Sequence, residues 1–356
     1  MGESDTVHLV HFYSSPGGIE VLSSRIIKSF TEVSFRVFTI RPPVPGAIDV
    51  YEGSGVPRSF GSTINIRAMF RLMSHVRRNR SDIFHLLNAG PYFLLAARLA
   101  GATRIVYSIR GTRYWGDFFQ RLVRKSIWRI ALNSKIRFIS NSEFSRQVFH
   151  EKIDHGADIK VLYNPVADSR FPLYAGRDRK EVMKIIYAGR LNDGKNLEKW
   201  VDLACQIHSD LDRTEFEIYG SGPLEEKLKE KITDLGASGY ISVKGFRKDI
   251  ENVYREADVF LFLSEYESFG NVVVESILCG TPVIAADIPS MREIFRDYPD
   301  FLVDAEGDLR QQIHKKLLDH DHLSGLALKA SEDFRTRFSM KAHIAALGKI
   351  YSSFDD

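Results

Sequence analysis

The sequence predicts an α/β protein built as two doubly wound lobes, each a mostly parallel sheet with helices on both faces. Three observations lead there. At 356 residues the chain exceeds the size at which a single hydrophobic core usually stops growing. Short β-type runs alternate with helical patterns from end to end, the pattern of parallel sheets covered by helices. The charge also divides: residues 1–170 hold 24 Lys and Arg against 13 Asp and Glu, a net of +11, while the remainder holds 25 against 33, a net of −8. The formal total of +3 thus conceals two halves with different partners. A basic half suits nucleic acid, an anionic membrane or a phosphorylated ligand, and charge alone does not choose among them.

The N-terminal half opens with a strand from Val7 to Tyr13, a turn at Gly17-Gly18, and a helix with Ile19, Leu22, Ile26 and Phe30 at helical spacing. Strands are predicted at Ser34 to Ile40, Ile83 to Leu87, Arg104 to Ile109 and Ile136 to Ser140, with a Pro- and Gly-rich loop between Arg41 and Ser62. The stretch from Arg170 to Arg179 lacks periodicity and is predicted to link the domains. This gives a first domain over residues 1–172, rejoined by a crossing helix over 340–356, and a second over 180–339. In the second, strands begin at Met183, Phe216, Ile241, Val259 and Pro282, with helices at Leu197 to Ser209, Leu224 to Leu235, Ile250 to Ala257 and Val272 to Leu278. Ligands of such sheets bind outside the carboxyl ends of the strands, so the loops after them are where chemistry is expected.

Several classes are disfavoured. Cys205 and Cys279 are the only cysteines, too few for a disulfide framework or a zinc knuckle, and a reducing cytoplasm is expected. The opening residues lack the cationic start and apolar core of a secretory signal, and no run has the length of a membrane span. Asp210 with Asp212, and Asp319 with Asp321, are read as solvated helix ends rather than metal ligands. Gly17-Gly18 lacks the full dinucleotide fingerprint, and no nucleic-acid reader motif accompanies the basic half.

Two loops carry chemistry. Gly189-Arg190-Leu191-Asn192-Asp193-Gly194-Lys195-Asn196 places two cations and two glycines between a strand end and a helix start. Arg supplies a fork of donors, Lys a point charge, and Gly lets backbone approach a diphosphate closely; a solvated basic loop is the bland alternative. Glu267-Ser268-Phe269-Gly270-Asn271-Val272-Val273-Val274-Glu275 bridges a strand end and the first turns of a helix. The spacing itself recurs at Glu143 and Glu151 and at Glu217 and Glu225, so placement is what matters. A helix start offers free N–H groups to phosphate or sugar oxygens, and a carboxylate accepts two hydroxyls at once. Glu275, flanked by valines, Ile277 and Leu278, requires a partner.

With Tyr219-Gly220-Ser221-Gly222-Pro223, Ala257-Asp258 and Cys279-Gly280-Thr281-Pro282-Val283, these segments resemble, in order, the GT-B retaining glycosyltransferases of group 1, with their Glu-x7-Glu motif. The resemblance is close in the C-terminal half. It extends through Gly17-Gly18, Asp82-Ile83-Phe84-His85, Ser140-Asn141-Ser142 and Tyr163-Asn164-Pro165 in the first half. It implies that Arg190 and Lys195 hold the diphosphate and stabilise the leaving nucleotide, that Glu275 binds the ribose, and that Glu267 meets the donor sugar. Backbone groups of Phe269, Gly270 and Asn271 would contact sugar and phosphate, with Gly222 and Gly18 also lining the donor. Where many relatives carry His-Gly, this chain has Arg110-Gly111, so Arg110 and His85 are candidates for contact with sugar or acceptor; Arg110 paired with a carboxylate and His85 as a core histidine are the alternatives.

The implied reaction is transfer from a nucleotide-diphosphate sugar with retained configuration, without metal or other cofactor, to a glycan or lipid-linked acceptor of bacterial surface polysaccharide. The implied location is cytoplasmic, at the inner face of the membrane, with no nucleic-acid partner. A non-catalytic nucleotide-sugar-binding subunit and an epimerase or hydrolase are the competing readings. The segment from Trp115 to Arg137 interleaves Trp115, Phe118, Phe119, Trp128 and Ile130 with Arg121, Arg124, Lys125 and Arg129. It is read either as an interfacial helix on anionic lipid or as a helix packed on the first lobe.

Overall fold

The computed structural model describes residues 6–13, 18–31, 33–42, 51, 54–111, 126–132, 136–154, 156–166, 170–174 and 181–354. The chain forms two compact units, Met1–Pro165 with Lys341–Asp356, and Val166–Met340.

Unit 1 is a seven-stranded parallel sheet of β1 (Thr6–His11), β2 (Ser34–Thr39), β3 (Arg58–Phe60), β4 (Ile83–Leu87), β5 (Arg104–Ile109), β6 (Arg137–Ser140) and β7 (Ile159–Val161). Their order is β3-β2-β1-β4-β5-β6-β7, and every pairing is parallel, beginning with Thr6 opposite Ser34. Successive residues of a strand point to opposite faces, so β1 sends Val7 and Leu9 to one core and Val10 to the other. The first core is closed by Leu22 and Ile26 of the helix Gly18–Ser29 and by Leu347, Ile350 and Tyr351 of the last helix, Met340–Ser352. The second is closed by the helices Asn65–Arg78, Pro91–Leu99 and Glu143–Lys152. Burial on both faces is why these strands read as apolar runs rather than alternating ones.

Unit 2 is a six-stranded parallel sheet of β8 (Met183–Ala188), β9 (Thr214–Tyr219), β10 (Ile241–Gly245), β11 (Val259–Phe262), β12 (Val283–Ala286) and β13 (Leu302–Val303), ordered β10-β9-β8-β11-β12-β13. Trp200 anchors the helix Leu197–Asp210 on this sheet: it is buried, stacks edge-on against Phe216, and donates its indole N–H to Leu261 O at 3.1 Å. Asp258 holds the two central strands in register by accepting the Lys184 backbone N–H at 2.7 Å.

Two segments singled out in the sequence are described in part. The described part of the supposed linker, residues 170–174, is packed into unit 2: Arg170 pairs with Glu251, and Phe171 is buried, its carbonyl accepting from Arg335. An aperiodic segment with one large apolar side chain can dock without being helix or strand. In the cationic aromatic segment, residues 112–125 lie outside the described residues, but residues 126–131 are helical and Trp128 points inward. Its indole lies edge-on between Tyr107 and Phe149 in the core and is not available to a lipid interface; Ile130 is exposed. Among the described residues no helix is long and apolar enough to cross a membrane.

Candidate functional site

In unit 2 the strand order reverses between β8 and β11, and at such a switch point the loops leaving neighbouring strands diverge and open a crevice. Both chemistry-bearing loops leave from it. The loop after β8 is held to the loop after β9 by hydrogen bonds from Leu191 N to Ser221 O at 3.0 Å and from Leu224 N to Leu191 O at 3.1 Å. A Cβ on Gly222 would lie 2.2 Å from the Leu191 carbonyl oxygen, so only glycine permits this approach. The loop after β8 is also tied to the loop after β11: Glu265 N donates to Gly194 O at 3.0 Å. A Cβ on Gly194 would meet the Tyr266 ring at 2.4 Å.

This docking brings Lys195 and Glu267 together, 72 residues apart in sequence, with Nζ 2.5 Å from Oε2. Both side chains are about one-fifth exposed, so the pair stands at the surface of the crevice. Glu267 Oε1 accepts the Ser268 backbone N–H at 3.0 Å, and the Lys195 ammonium sits 5.6 Å from the Phe262 ring centroid. The ammonium is thereby held in place by a carboxylate and an aromatic face. Arg190 is exposed and has no ion-pair partner among the described residues, leaving a guanidinium for an incoming anion.

Gly270, in the left-handed conformation at φ 98°, is the N-cap of the helix Asn271–Leu278 and, being glycine, supplies no side-chain cap. Phe269 is buried, edge-on to Phe338, so its ring belongs to the packing of unit 2. Glu275 has the partner its apolar company demands: Tyr254 Oη donates to Oε2 at 3.3 Å. Burial, reinforced by Glu275, pushes the Tyr254 phenol well above its ordinary range, so it stays a donor. The helix is stopped by a two-bond Schellman turn, Thr281 N to Ser276 O and Gly280 N to Ile277 O, with Gly280 at φ 77°. Thr281 then donates its hydroxyl to Tyr254 O at 2.6 Å, so Cys279-Gly280-Thr281-Pro282 fixes the tyrosine that fixes Glu275.

The unit 1 candidates fare differently. Gly18 is the exposed first residue of its helix, while Gly17 lies outside the described residues. His85 has the surroundings of a core histidine: it is fully buried, with Nδ1 2.7 Å from Tyr351 Oη and Nε2 2.6 Å from Ser108 Oγ. Its place in the middle of β4, a strand covered on both faces, dictates this. Arg110 follows β5 at the carboxyl end of the sheet and donates to Asn164 Oδ1 at 2.5 Å. Burial lowers its guanidinium to about 10, opposed by Tyr351. The Arg110 hydrogen bond is thus to a carboxamide from the Tyr163-Asn164-Pro165 landmark.

Sequence reading missed Tyr254, Tyr266 and the aromatic platform of Phe262. Only the landmark Thr281 signals the first of these, and nothing local signals the others, because each acts on a residue from a different strand-end loop.

A pair of doubly wound sheets in one chain, the second with its cationic and acidic loops at the switch point, is the GT-B class of glycosyltransferase fold. Solved structures agree over nearly the whole length. HepE from Anabaena, in complex with UDP, superposes with a TM-score of 0.77 at 18% identity, covering 98% of this chain and all of that one. Sucrose-phosphate synthase from Thermosynechococcus elongatus gives 0.79 at 15% identity, covering 99% of each; identities this low speak to the fold alone.

Residues 176–332 match the family described as glycosyl transferases group 1, and residues 16–170 match glycosyltransferase family 4. The chain belongs to the group 1 glycosyltransferases. It is 29% identical over 162 residues to the GtfA subunit of a Streptococcus gordonii UDP-N-acetylglucosamine–peptide N-acetylglucosaminyltransferase, covering 45% of this chain and 32% of that protein. It is 28% identical over 250 residues, 67% of each chain, to a Campylobacter jejuni protein named as an N-acetylgalactosaminyltransferase acting on a diphospho-undecaprenol-linked sugar. The chain thus spans only about a third of the length of the streptococcal relatives.

Proposed function

We propose that this protein transfers a sugar from a nucleotide-diphosphate sugar, with UDP as the nucleotide, to a lipid-linked glycan acceptor of bacterial surface polysaccharide, with the anomeric configuration retained. One observation carries the reading: the Lys195 ammonium, held by Glu267 and on the same loop as the exposed Arg190, stands at the switch point, where Gly270 opens a helix. Cations fixed before the reaction stabilise a departing diphosphate without reorganising, and the helix dipole adds to them. Glu275, steadied by Tyr254, binds the ribose hydroxyls. The acceptor hydroxyl oxygen bonds to the anomeric carbon on the face from which the diphosphate leaves; the carbon–phosphate-oxygen bond breaks, and the hydroxyl proton passes to that phosphate oxygen. The cationic loop takes the place of a metal, and no other cofactor is required. HepE was crystallised with UDP and with UDP-glucose, and the relatives named above carry UDP-sugar and undecaprenol-linked chemistry in their names, which supports the donor and acceptor classes.

The test is a panel of UDP-sugars with and without an undecaprenyl-diphosphate-linked sugar, with product anomers assigned by NMR and each run repeated in EDTA. Transfer with an α-linked product from an α-linked donor, unchanged by the chelator, is expected. Inverted product, metal-dependent turnover, or epimerised donor without acceptor consumption would each refute a stated part of the reading.

A further inference from the structure

In unit 1, the 29 residues from Gly53 to Ser81 hold six arginines and neither Asp nor Glu. Their centre is the helix Asn65–Arg78, which has no acidic residue in its first turn and ends in basic ones. At 3.6 residues per turn, the buried Ala68, Leu72, His75 and Val76 form one face. Ile66, Phe70 and Arg77 fall on the opposite side, flanked by Arg67 and Arg78. The outward apolar side chains are exposed where burial would be expected: Ile66 is 61% and Phe70 64% exposed, with Ile64 at 46% just before the helix. Arg67, Arg77 and Arg78 are exposed and have no ion-pair partner among the described residues.

A solvated helix face does not ordinarily combine isoleucine and phenylalanine at its apex with uncompensated arginines. We propose that this face of the helix Asn65–Arg78 is a membrane-docking surface for an anionic bilayer, with Ile66 and Phe70 entering the acyl boundary and Arg67, Arg77 and Arg78 meeting lipid phosphates. Charge complementarity selects the occupant. A stretch with six arginines and no carboxylate of its own attracts a polyanion, and the apolar apex selects one with a hydrocarbon layer beneath its charges, which a nucleic acid lacks. The proposal extends the lipid-linked reading by naming a contact surface distinct from the donor loops, and it moves membrane contact away from Trp128, which the core retains.

The test is sedimentation of the full chain with phosphatidylcholine vesicles, with and without phosphatidylglycerol, in the absence of donor sugar. Its failure would therefore leave the transferase reading standing. The wild type is expected to bind only the phosphatidylglycerol vesicles and to release in high salt. Ile66→Ser with Phe70→Ser should weaken binding at least about tenfold. Arg67→Ser with Arg77→Ser and Arg78→Ser should weaken it by about fivefold per arginine. Because all five side chains point outward, both variants should keep the wild-type thermal transition and wild-type turnover of a water-soluble acceptor. Wild-type vesicle binding by the Ile66/Phe70 variant, binding lost only in an Arg121/Arg124/Lys125→Ser variant, equal binding to neutral vesicles, or tighter binding to RNA than to vesicles would overturn the proposal.

Discussion

The two units solve the same topological problem with opposite electrostatics. The five histidines buried among the described residues, His8, His11, His75, His85 and His343, belong to unit 1, and among its described residues unit 2 buries none. In unit 1, His8 bridges His75 Nε2 and Asp82 Oδ2 at 2.8 Å each, and His343 Nδ1–H donates to Tyr163 O at 2.8 Å. Burial pushes His75 down to about 4, helped by His8, and His343 also to about 4, helped by Arg110. Unit 2 pairs its charges instead: Lys195 with Glu267 at a strand end, the buried Glu217 of β9 with Lys184 and Lys244, and Arg310 with Asp210 at the surface. One sheet is therefore held by neutral polar groups sealed inside, and the other presents ions to its crevice. The same fold separates a part sensitive to acid from a part equipped to bind an anion.

The sharpest way to break this contrast is to remove the ions of unit 2. Lys195→Ala and Glu275→Ala are each expected to lower turnover by about a hundredfold or more, without loss of the cooperative thermal transition. Near-normal rates in both would dissolve the proposed donor site.

Ligand binding sharpens it next. UDP at a hundredfold excess over its Kd should stabilise the fold by about 2.7 kcal/mol if it binds the native state alone. The gain should shrink in Lys195→Ala and stay unchanged in His343→Gln. A loss of equal size in both, read by calorimetry, would mean that the distinction between the units is false.

Acid tests unit 1. A histidine whose folded pKa lies below its unfolded value binds fewer protons when folded, so stability is full above about 6.5, falls as the pH drops, and levels off below about 4. His343→Gln lacks that titration, and its melting temperature should fall less steeply between those limits, by the equivalent of about 3 kcal/mol. Parallel curves for variant and wild type would remove His343 from the account.

The smallest effect is expected at Tyr254→Phe, which deletes one donor to Glu275. The KM for donor should rise by about five- to tenfold with kcat nearly unchanged, as for one hydrogen bond to a charged group. A fall in kcat with constant KM would show that Tyr254 acts on the reacting centre instead.

Much of this could be read from the chain alone. Parallel strands buried on both faces write apolar runs, and the helices between them write a 3.6-residue period, so the alternation of β8 to β12 with their helices was visible residue by residue. Gly280-Thr281-Pro282 announces a helix end because only glycine takes φ 77° there without strain. The demand of Glu275 for a partner followed from its apolar neighbours. Which residue met that demand did not. Tyr254 with Glu275, Lys195 with Glu267, and His85 with Tyr351, 266 residues away, all depend on strand order, and local periodicity is the same for every order in which parallel strands can be laid side by side. For that reason only the tertiary structure could send Trp128 and His85 into the core, tie Lys195 to a carboxylate, and leave Ile66 and Phe70 facing out.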